Sequence, residues 1–457
     1  MKKKALATAV AVAALFLSGF SGAISPAQAA DRTVVVWSPY HDGNLKLWDA
    51  ALKRIEAANP GLNITSVGSI DMAKSLAAIN AGNGPDISVS NGAGNLGWFC
   101  GSGAWQNLNK YIINTRTGID MKKTFTPASV ASTISNKVRC ALPLNSEVFG
   151  FYYNKDLLAK AGFTTPPKTT AELLTYSKKL TTFASNGDIK SAGFVPWAGY
   201  YGFDMDSMWL GQMFGAKWYM VGGNGQSGFG QDRAWQTALQ WQHDFIAQVY
   251  GGGDFAKGSK LLTKFVAGRG DEWGTDHDFM TGRVAMKWDA NWMAPMFCTG
   301  DDWSLADKCT SKVNFGIAPS PVAPNLVNTL YGAGVVGEAQ MGISKGSKHA
   351  ADAWIVLKAL ATDTKLAADW DAANGAPSML LSPAAKPAGQ PAWYQPIYDI
   401  AANKLSGYHQ MQNTGEHQEE ALLQNLMASW QAGKTSNLAS ALRDLGTQVD
   451  QIVARNN

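Results

Sequence analysis

Charge is scarce in this chain. Asp, Glu, Lys and Arg make up only 16% of its 457 residues, and the net charge is +4. Beyond the first few positions no run of Lys and Arg forms a basic stripe, which argues against a nucleic-acid partner. Cysteine is scarce too. The four, Cys100, Cys140, Cys298 and Cys309, show no C-x-x-C spacing, so a thiolate zinc site is not expected. Long apolar runs are almost absent. The one that stands out, residues 5–20, follows Lys2, Lys3 and Lys4 and leads into Ala27-Gln28-Ala29. That pattern is a cleavable secretory signal over residues 1–29, too short and wrongly flanked for a membrane span. No second run approaches the ~20 residues of a spanning helix, so stable membrane insertion is not expected. An even cysteine count in an exported chain suggests two disulfides, with three possible pairings. We expect Cys100–Cys140 and Cys298–Cys309, the latter closing a short polar loop.

What the chain does contain is apolar residues (46%) and 17 tryptophans, enough for a large packed core. Thr33-Val34-Val35-Val36-Trp37 reads as a buried strand. A helix with Leu45, Trp48, Leu52 and Ile55 on one face follows, and Asn59-Pro60-Gly61 stops it. Residues 62–67 form a second strand, completing a β-α-β unit. Ligands bind such sheets outside the carboxyl ends of strands, so Trp37 to His41 is a candidate site. The densest stretch is 142–181. Its Val148, Phe149, Phe151, Tyr152 and Tyr153 predict a strand buried on both faces. Asn154 caps a short helix that Gly162 ends. Pro166-Pro167 forces extension, and Thr170 caps a helix carrying Leu173, Leu174, Ser177 and Leu180. Two tail helices are expected, one with Leu422, Leu426 and Trp430 inward, the other with Leu438, Leu442, Leu445, Val449 and Ile452 inward.

Within that stretch, Tyr152-Tyr153-Asn154-Lys155-Asp156-Leu157, Lys160-Ala161-Gly162-Phe163, Pro166-Pro167-Lys168-Thr169 and Glu172-Leu173 resemble the family 1 extracellular solute-binding proteins. These are the sugar-capturing components of ABC importers. Gly84-Pro85-Asp86, a helix expected over 96–111, and Gly282-Arg283-Val284-Ala285-Met286 after Phe279 resemble the same family. The resemblance implies an α/β, two-lobed periplasmic-binding-protein fold of type II-like organisation. Its N-terminal lobe would take residues 30–144 plus 341–385, and its C-terminal lobe 145–340 plus 386–457, with three crossings and hinge closure over the ligand. Many relatives are lipoproteins, but Leu17-Ser18-Gly19 is followed here by Phe20 and not cysteine. The expected mature protein is therefore exported and untethered, periplasmic or extracellular, and monomeric. It would need no cofactor. Its partners would be a carbohydrate and the transmembrane subunits of an ABC permease.

A sugar ring has an apolar C–H face and an equator of hydroxyls, so it needs a flat aromatic platform with donors and acceptors at the rim. Aromatics at expected strand ends or crossings are Trp37 with Tyr40, Trp197 with Tyr200 and Tyr201, Trp288 with Trp292, and Tyr331 beside Gly332. His41, Asn91, Glu147 and Asp289 are the candidate rim, and a carboxylate can accept from two hydroxyls. Trp48, Trp241, Trp354 and Trp430 lie on apolar helix faces and read as core.

Other motifs yield to plainer readings. Gly223-Asn224-Gly225-Gln226-Ser227-Gly228 matches G-x-G-x-x-G, yet sits in a glycine-rich surface loop. Gly342-Ile343-Ser344-Lys345-Gly346 matches G-x-S-x-G, but Ser344 reads as a turn residue. Asp276-His277-Asp278 alternates faces and reads as a solvated loop rather than a metal site. Glu416, His417 and Glu420 suit a helix start without any ligand. The expected function is sugar capture without catalysis. The alternatives are a glycoside hydrolase using Glu147 and Asp289, or the same fold holding another solute such as glycerol phosphate.

Overall fold

The structure, a computed structural model, describes residues 32–92, 95–135, 137–197, 200–201, 206–218, 226–299, 313–387, 391–407 and 415–456. The signal segment, Cys309, the Cys298 side chain, Gly223 to Gly225, and the side chains of Glu416 and His417 lie outside the described residues.

Strand β1 (Thr33–Trp37) pairs in parallel with β2 (Asn63–Val67) and β3 (Ile87–Ser90), and helix Asp42–Ala58 crosses between the first two. That helix buries Trp48, Ala51, Leu52 and Ile55, the i, i+3, i+4, i+7 spacing of one face. A small hairpin, β4 (Ile134–Ser135) and β5 (Val138–Arg139), precedes the 13-residue β6 (Leu142–Asn154). Further on come β7 (Thr182–Phe183), β8 (Ile189–Phe194), β9 (Val284–Ala290), β10 (Phe315–Ala318) and β11 (Val336–Ile343). The large sheet runs β2-β1-β3-β11-β6-β9-β8-β7, with β10 also on β6.

β6 is long enough to serve two environments. Its first part pairs with β11, from Leu142↔Met341 to Val148↔Val336, with a register shift between Ala339 and Gln340. Its second part pairs with β9 from Phe149↔Ala290 to Tyr153↔Met286, and with β10 from Phe151↔Ala318 to Asn154↔Phe315. β11 in turn lies antiparallel to β3. Together β6 and β11 join the two halves of the sheet.

The cores divide along the same line. One gathers Val36, Trp48, Val89, Leu142, Met341, Trp354 and Trp370. A second gathers Phe149, Phe151, Phe194, Trp209, Trp235, Phe245 and Met286, closed by Leu423, Leu442 and Val449 from the last two helices. A third lies behind β6, with Val148, Tyr152, Phe279, Phe297, Phe315 and Ile397.

Several local expectations shift. The helix Thr170–Leu180 is capped by Thr169, not Thr170, and Glu172 completes a capping box. No continuous helix spans 96–111. A short π-helical turn, Gly97–Gly101, and a four-residue helix, Asn109–Ile112, stand there instead. The cause is the Cys100–Cys140 disulfide and Gly103 at φ +68°, which turn the chain so that Trp105 reaches the end of β11. In helix Glu416–Gln431 the buried apolar residues are Leu423 and Met427, one position on from the expected stripe, while Leu422, Leu426 and Trp430 flank them half-buried. Helix Leu438–Asn456 buries Leu438, Leu442, Leu445 and Val449 as expected, but Val453 takes the place of Ile452.

Candidate functional site

On the β9 side of β6, side chains from both strands and from flanking loops converge on one pocket. Its lining includes Phe149, Phe194, Tyr200, Tyr201, Trp209, Glu272, Lys287, Trp288 and Asp289. The β8–β9 pairing ends at Phe194↔Met286, and beyond it side chains from both faces of β9 reach the pocket. Along β9, Lys287 and Asp289 share one face, and Trp288 occupies the other. Trp288 stacks on Phe149 at 4.5 Å with 12° between planes, and Trp209 closes at 6.1 Å. Trp292 meets the edge of Phe149 at 5.5 Å. The result is a flat apolar wall.

The floor is ionic. Lys287 Nζ pairs with the Asp289 carboxylate, and both are nearly buried. The same ammonium lies 3.0 Å from His277 Nε2 and 4.8 Å from the Tyr201 ring centre. The second Asp289 oxygen accepts from the Ala290 N–H at 2.8 Å. Burial, with the Lys287 charge, drives the His277 imidazole far below its usual range, so it is neutral. The Glu272 carboxyl is pushed up to about 7, first by burial and then by Asp289.

Asp276 is exposed as expected of a solvated loop, but the next two residues are not. His277 and Asp278 are 0% and 1% exposed. The Asp278 carboxylate accepts the Tyr200 hydroxyl at 2.6 Å and Arg283 Nη1 at 2.7 and 2.8 Å. Its backbone N–H donates to the Tyr201 hydroxyl oxygen at 2.7 Å, and Tyr201 stacks on His277 at 4.3 Å. Asp278 therefore holds Tyr200 through its carboxylate and Tyr201 through its backbone, and Tyr201 has a left-handed φ of 61°. Among the described residues no three His, Cys, Asp or Glu side chains are grouped to hold a metal ion.

Of the residues singled out from sequence, Tyr200, Tyr201, Trp288 and Asp289 line this pocket. Those of the first half are elsewhere. Trp37 ends β1, half-buried, opposite Val67 and Ser88. Tyr40 is 5% exposed, packed on Trp48 and Trp370 at 5.4 and 4.5 Å, as a core residue would be. His41 is exposed and pairs with Asp42 at 2.8 Å. The Asn91 carbonyl accepts from the Asn95 side chain. Glu147 is buried on β6, with Oε1 accepting the Gly92 N–H at 3.2 Å. Burial lifts its carboxyl to about 7, and the phenol of Tyr40 is raised by burial and then by the Glu147 charge. In the second half, Trp197 packs half-buried on the second core. Tyr331 lies under Lys168, whose Nζ is 5.8 Å from the ring centre, and burial pushes its hydroxyl up to about 12. Gly332 follows at φ +101°.

Sequence reading missed Phe194, Trp209, Glu272 and Lys287. For Lys287 a signal existed: it stands two residues before Asp289 on a strand, hence on the same face. Ser344 is 2% exposed at the end of β11, and its backbone N–H bonds to the Asp86 carbonyl at 2.9 Å, consistent with a turn residue. Ser227 is also buried, its N–H and hydroxyl bonded to Asp450 and Gly446 of the last helix, so this end of the glycine-rich loop is packed rather than at the surface.

The family model described as "Bacterial extracellular solute-binding protein" matches residues 39–367. The chain belongs to this family. Solved structures similar to this solute-binding protein include CpMnBP1 with mannotriose bound, at 23% identity and a TM-score of 0.72, covering 91% of this chain and 99% of that one. The sugar-binding protein MalE from the phytopathogen Xanthomonas citri shows 18% identity and a TM-score of 0.69 over 93% and 98% of the two chains. The cyclic α-maltosyl-1,6-maltose binding protein from Arthrobacter globiformis shows 17% identity and 0.68 over 93% and 99%. No curated protein sequence matches the chain. The likeness in structure establishes the two-lobed α/β fold. No described helix is long and apolar enough to cross a membrane.

Proposed function

We propose that this solute-binding protein captures a neutral sugar or oligosaccharide outside the cytoplasm and delivers it to an ABC permease. The observation that carries the reading is the pocket itself: the parallel rings of Phe149 and Trp288 beside the fixed Lys287–Asp289 pair. Such a site offers a flat face to sugar C–H groups and charged hydrogen-bond partners to hydroxyls. Relatives of the same fold carry sugars in their names.

The reading extends to the mechanism. The lobes would be residues 30–144 plus 341–385 and residues 145–340 plus 386–457. The split between the cores and the register shift on β11 support those boundaries. Hinge closure is a property of periplasmic binding proteins as a class. The export signal over 1–29 and the monomeric state belong to the same proposal, as do ligand roles for Trp37, His41, Asn91, Glu147, Trp197, Trp292, Tyr331 and Gly332.

A thermal-shift screen over sugars tests it. A ligand at about 100 times its Kd adds roughly 2.7 kcal/mol, so a true ligand raises the midpoint clearly, and Trp288→Ala abolishes the rise. If sugars leave the midpoint unmoved while glycerol phosphate raises it, the solute class is wrong. Steady turnover of chromogenic glycosides, lost in Glu147→Gln, would replace binding with hydrolysis.

A further inference from the structure

Strand β7 closes one end of the large sheet, with β8 as its partner strand there. Phe183, on β7 opposite Ile189, is 45% exposed, one of the few large apolar side chains on the described surface. Around it the fold gathers lysines that lie far apart in the sequence. Helix Phe255–Ala267 buries Gly258, Leu262, Phe265 and Val266, and turns Lys257, Lys260 and Lys264, at i, i+3 and i+7, to solvent. That row ends at the β7–β8 hairpin, where Lys264 Nζ meets Asp188 Oδ2 at 2.6 Å. On β8, Lys190 is exposed between half-buried Ile189 and Ser191. Just before β7, helix Thr170–Leu180 ends in exposed Lys178 and Lys179. Lys178 Nζ bonds to Gln248 Oε1 at 2.8 Å, on the helix Arg233–Tyr250 that packs along Phe255–Ala267.

The acids of these segments are already engaged. Asp188 takes Lys264 and the Asn186 amide. Asp254 accepts the Lys257 N–H at 3.1 Å, and Asp244 accepts the Gln240 amide at 2.9 Å. Glu172 belongs to the capping box at the far end of its helix. What faces outward is a set of ammonium groups around one phenyl ring, in a chain whose net charge is only +4.

We infer that this face rests on the surface of an anionic bilayer, with lipid phosphates against the lysines and the Phe183 ring at the level of the headgroups. The chemistry favours a bilayer over other polyanions. Lysine is a compact charge on a flexible stem, without the planar fork that fits one fixed phosphate, so it suits a fluid field of headgroups. A ring among cations gains when it enters the boundary between headgroups and acyl chains, and a nucleic acid offers this edge no such layer. The protein would lie on the membrane and not cross it.

Sedimentation of the whole protein with vesicles of equal parts phosphatidylcholine and phosphatidylglycerol, in low salt and without any sugar, tests the inference. The protein should sediment with these vesicles and not with phosphatidylcholine alone. It should be released as sodium chloride approaches about 1 M, where charges are screened beyond about 3 Å. Lys190→Gln, Lys257→Gln and Lys260→Gln together should weaken binding at least about tenfold, since each lysine at an anionic surface is worth roughly fivefold. Phe183→Ser should weaken it severalfold with the lysines intact. The same change at Lys46, Lys53 and Lys74, exposed on the first half of the chain, should leave it unmoved. Equal sedimentation with both vesicle types, no sedimentation at all, or a loss no greater in the first triple variant than in the second overturns the inference. So does binding that Phe183→Ser leaves unchanged, because any polyanion would then serve. A dimer in sedimentation velocity that Phe183→Ser abolishes, without vesicle binding, assigns the open β7 edge to a second copy of the chain instead. With no sugar present, each of these results is independent of the function proposed above.

Discussion

Asp278 is the residue whose removal should be felt most widely. It is 1% exposed and holds Arg283, Tyr200 and Gly270 at once. Removing one partner of a buried ion pair leaves the other charge uncompensated, so Asp278→Ala should cost about 3 kcal/mol. Urea melts measure that loss, and a change within experimental scatter would show that the network is dispensable. Ligand affinity should fall in the same variant, because Tyr200 loses its carboxylate partner while the backbone N–H that holds Tyr201 remains. Little of this was visible in the sequence. Tyr200, Tyr201, Trp288 and Asp289 could be singled out because rings and an acid near strand ends have a recognisable use. Asp278 looked like a loop acid, since its burial depends on Arg283 and Tyr200 arriving from elsewhere. Tyr40 shows the converse. A tyrosine just past a strand end suggests a ligand, yet Trp370, 330 positions away in the chain, turns it into core. Local spacing does not report such distant contacts.

At the scale of elements, β6 and β11 carry three acids' worth of pH dependence together with the helix beside them. Glu147 on β6 and Glu338 on β11 are buried, and burial raises each carboxyl to about 7. For Glu338, hydrogen bonds from Ser132 and Ser129 and the Arg139 charge pull the other way, and the Glu147 charge pushes further up. Asp371, in helix Thr364–Asn374, is likewise raised to about 7 by burial, while its 2.7 Å bond from the Tyr398 hydroxyl opposes the shift. A raised acid means that the folded chain binds protons more tightly than the unfolded one. These groups therefore favour the fold fully below about pH 4 and withdraw that stability as pH rises through about 7. Melts between pH 4 and 8 should show the decline, and Glu338→Gln should flatten it. A slope identical in that variant would remove Glu338 from the account. Helix Thr170–Leu180 offers a smaller test. Thr169→Ala removes the capping-box oxygen that accepts the Glu172 N–H at 3.1 Å, and should cost about 1 kcal/mol in denaturant unfolding. The existence of these elements was legible from β-branched and aromatic runs and from Asn, Thr and Gly at their ends. The interruption of 96–111 was not, because the bond between Cys100 and Cys140 is a constraint that periodicity does not encode.

For the molecule as a whole, the proposed closure would turn about β6 and β11, the two adjacent strands that join the halves. Small-angle scattering should record a smaller radius of gyration on adding a sugar that raises the melting midpoint, and an unchanged profile would mean that capture occurs without closure. The general architecture was legible because one string, Tyr152 to Leu157, fixes the register of a strand and the start of its following helix. Less visible was how the halves share the chain. The first core needs Val34 at one end and Ala385 at the other. The second needs Phe149 and also Val453. A polypeptide emerging from the ribosome accordingly lacks the closing pieces of both until most of its length has been made. The first core can fasten once Ala385 has been made, whereas the second stays open like an undone clasp until the last two helices are added.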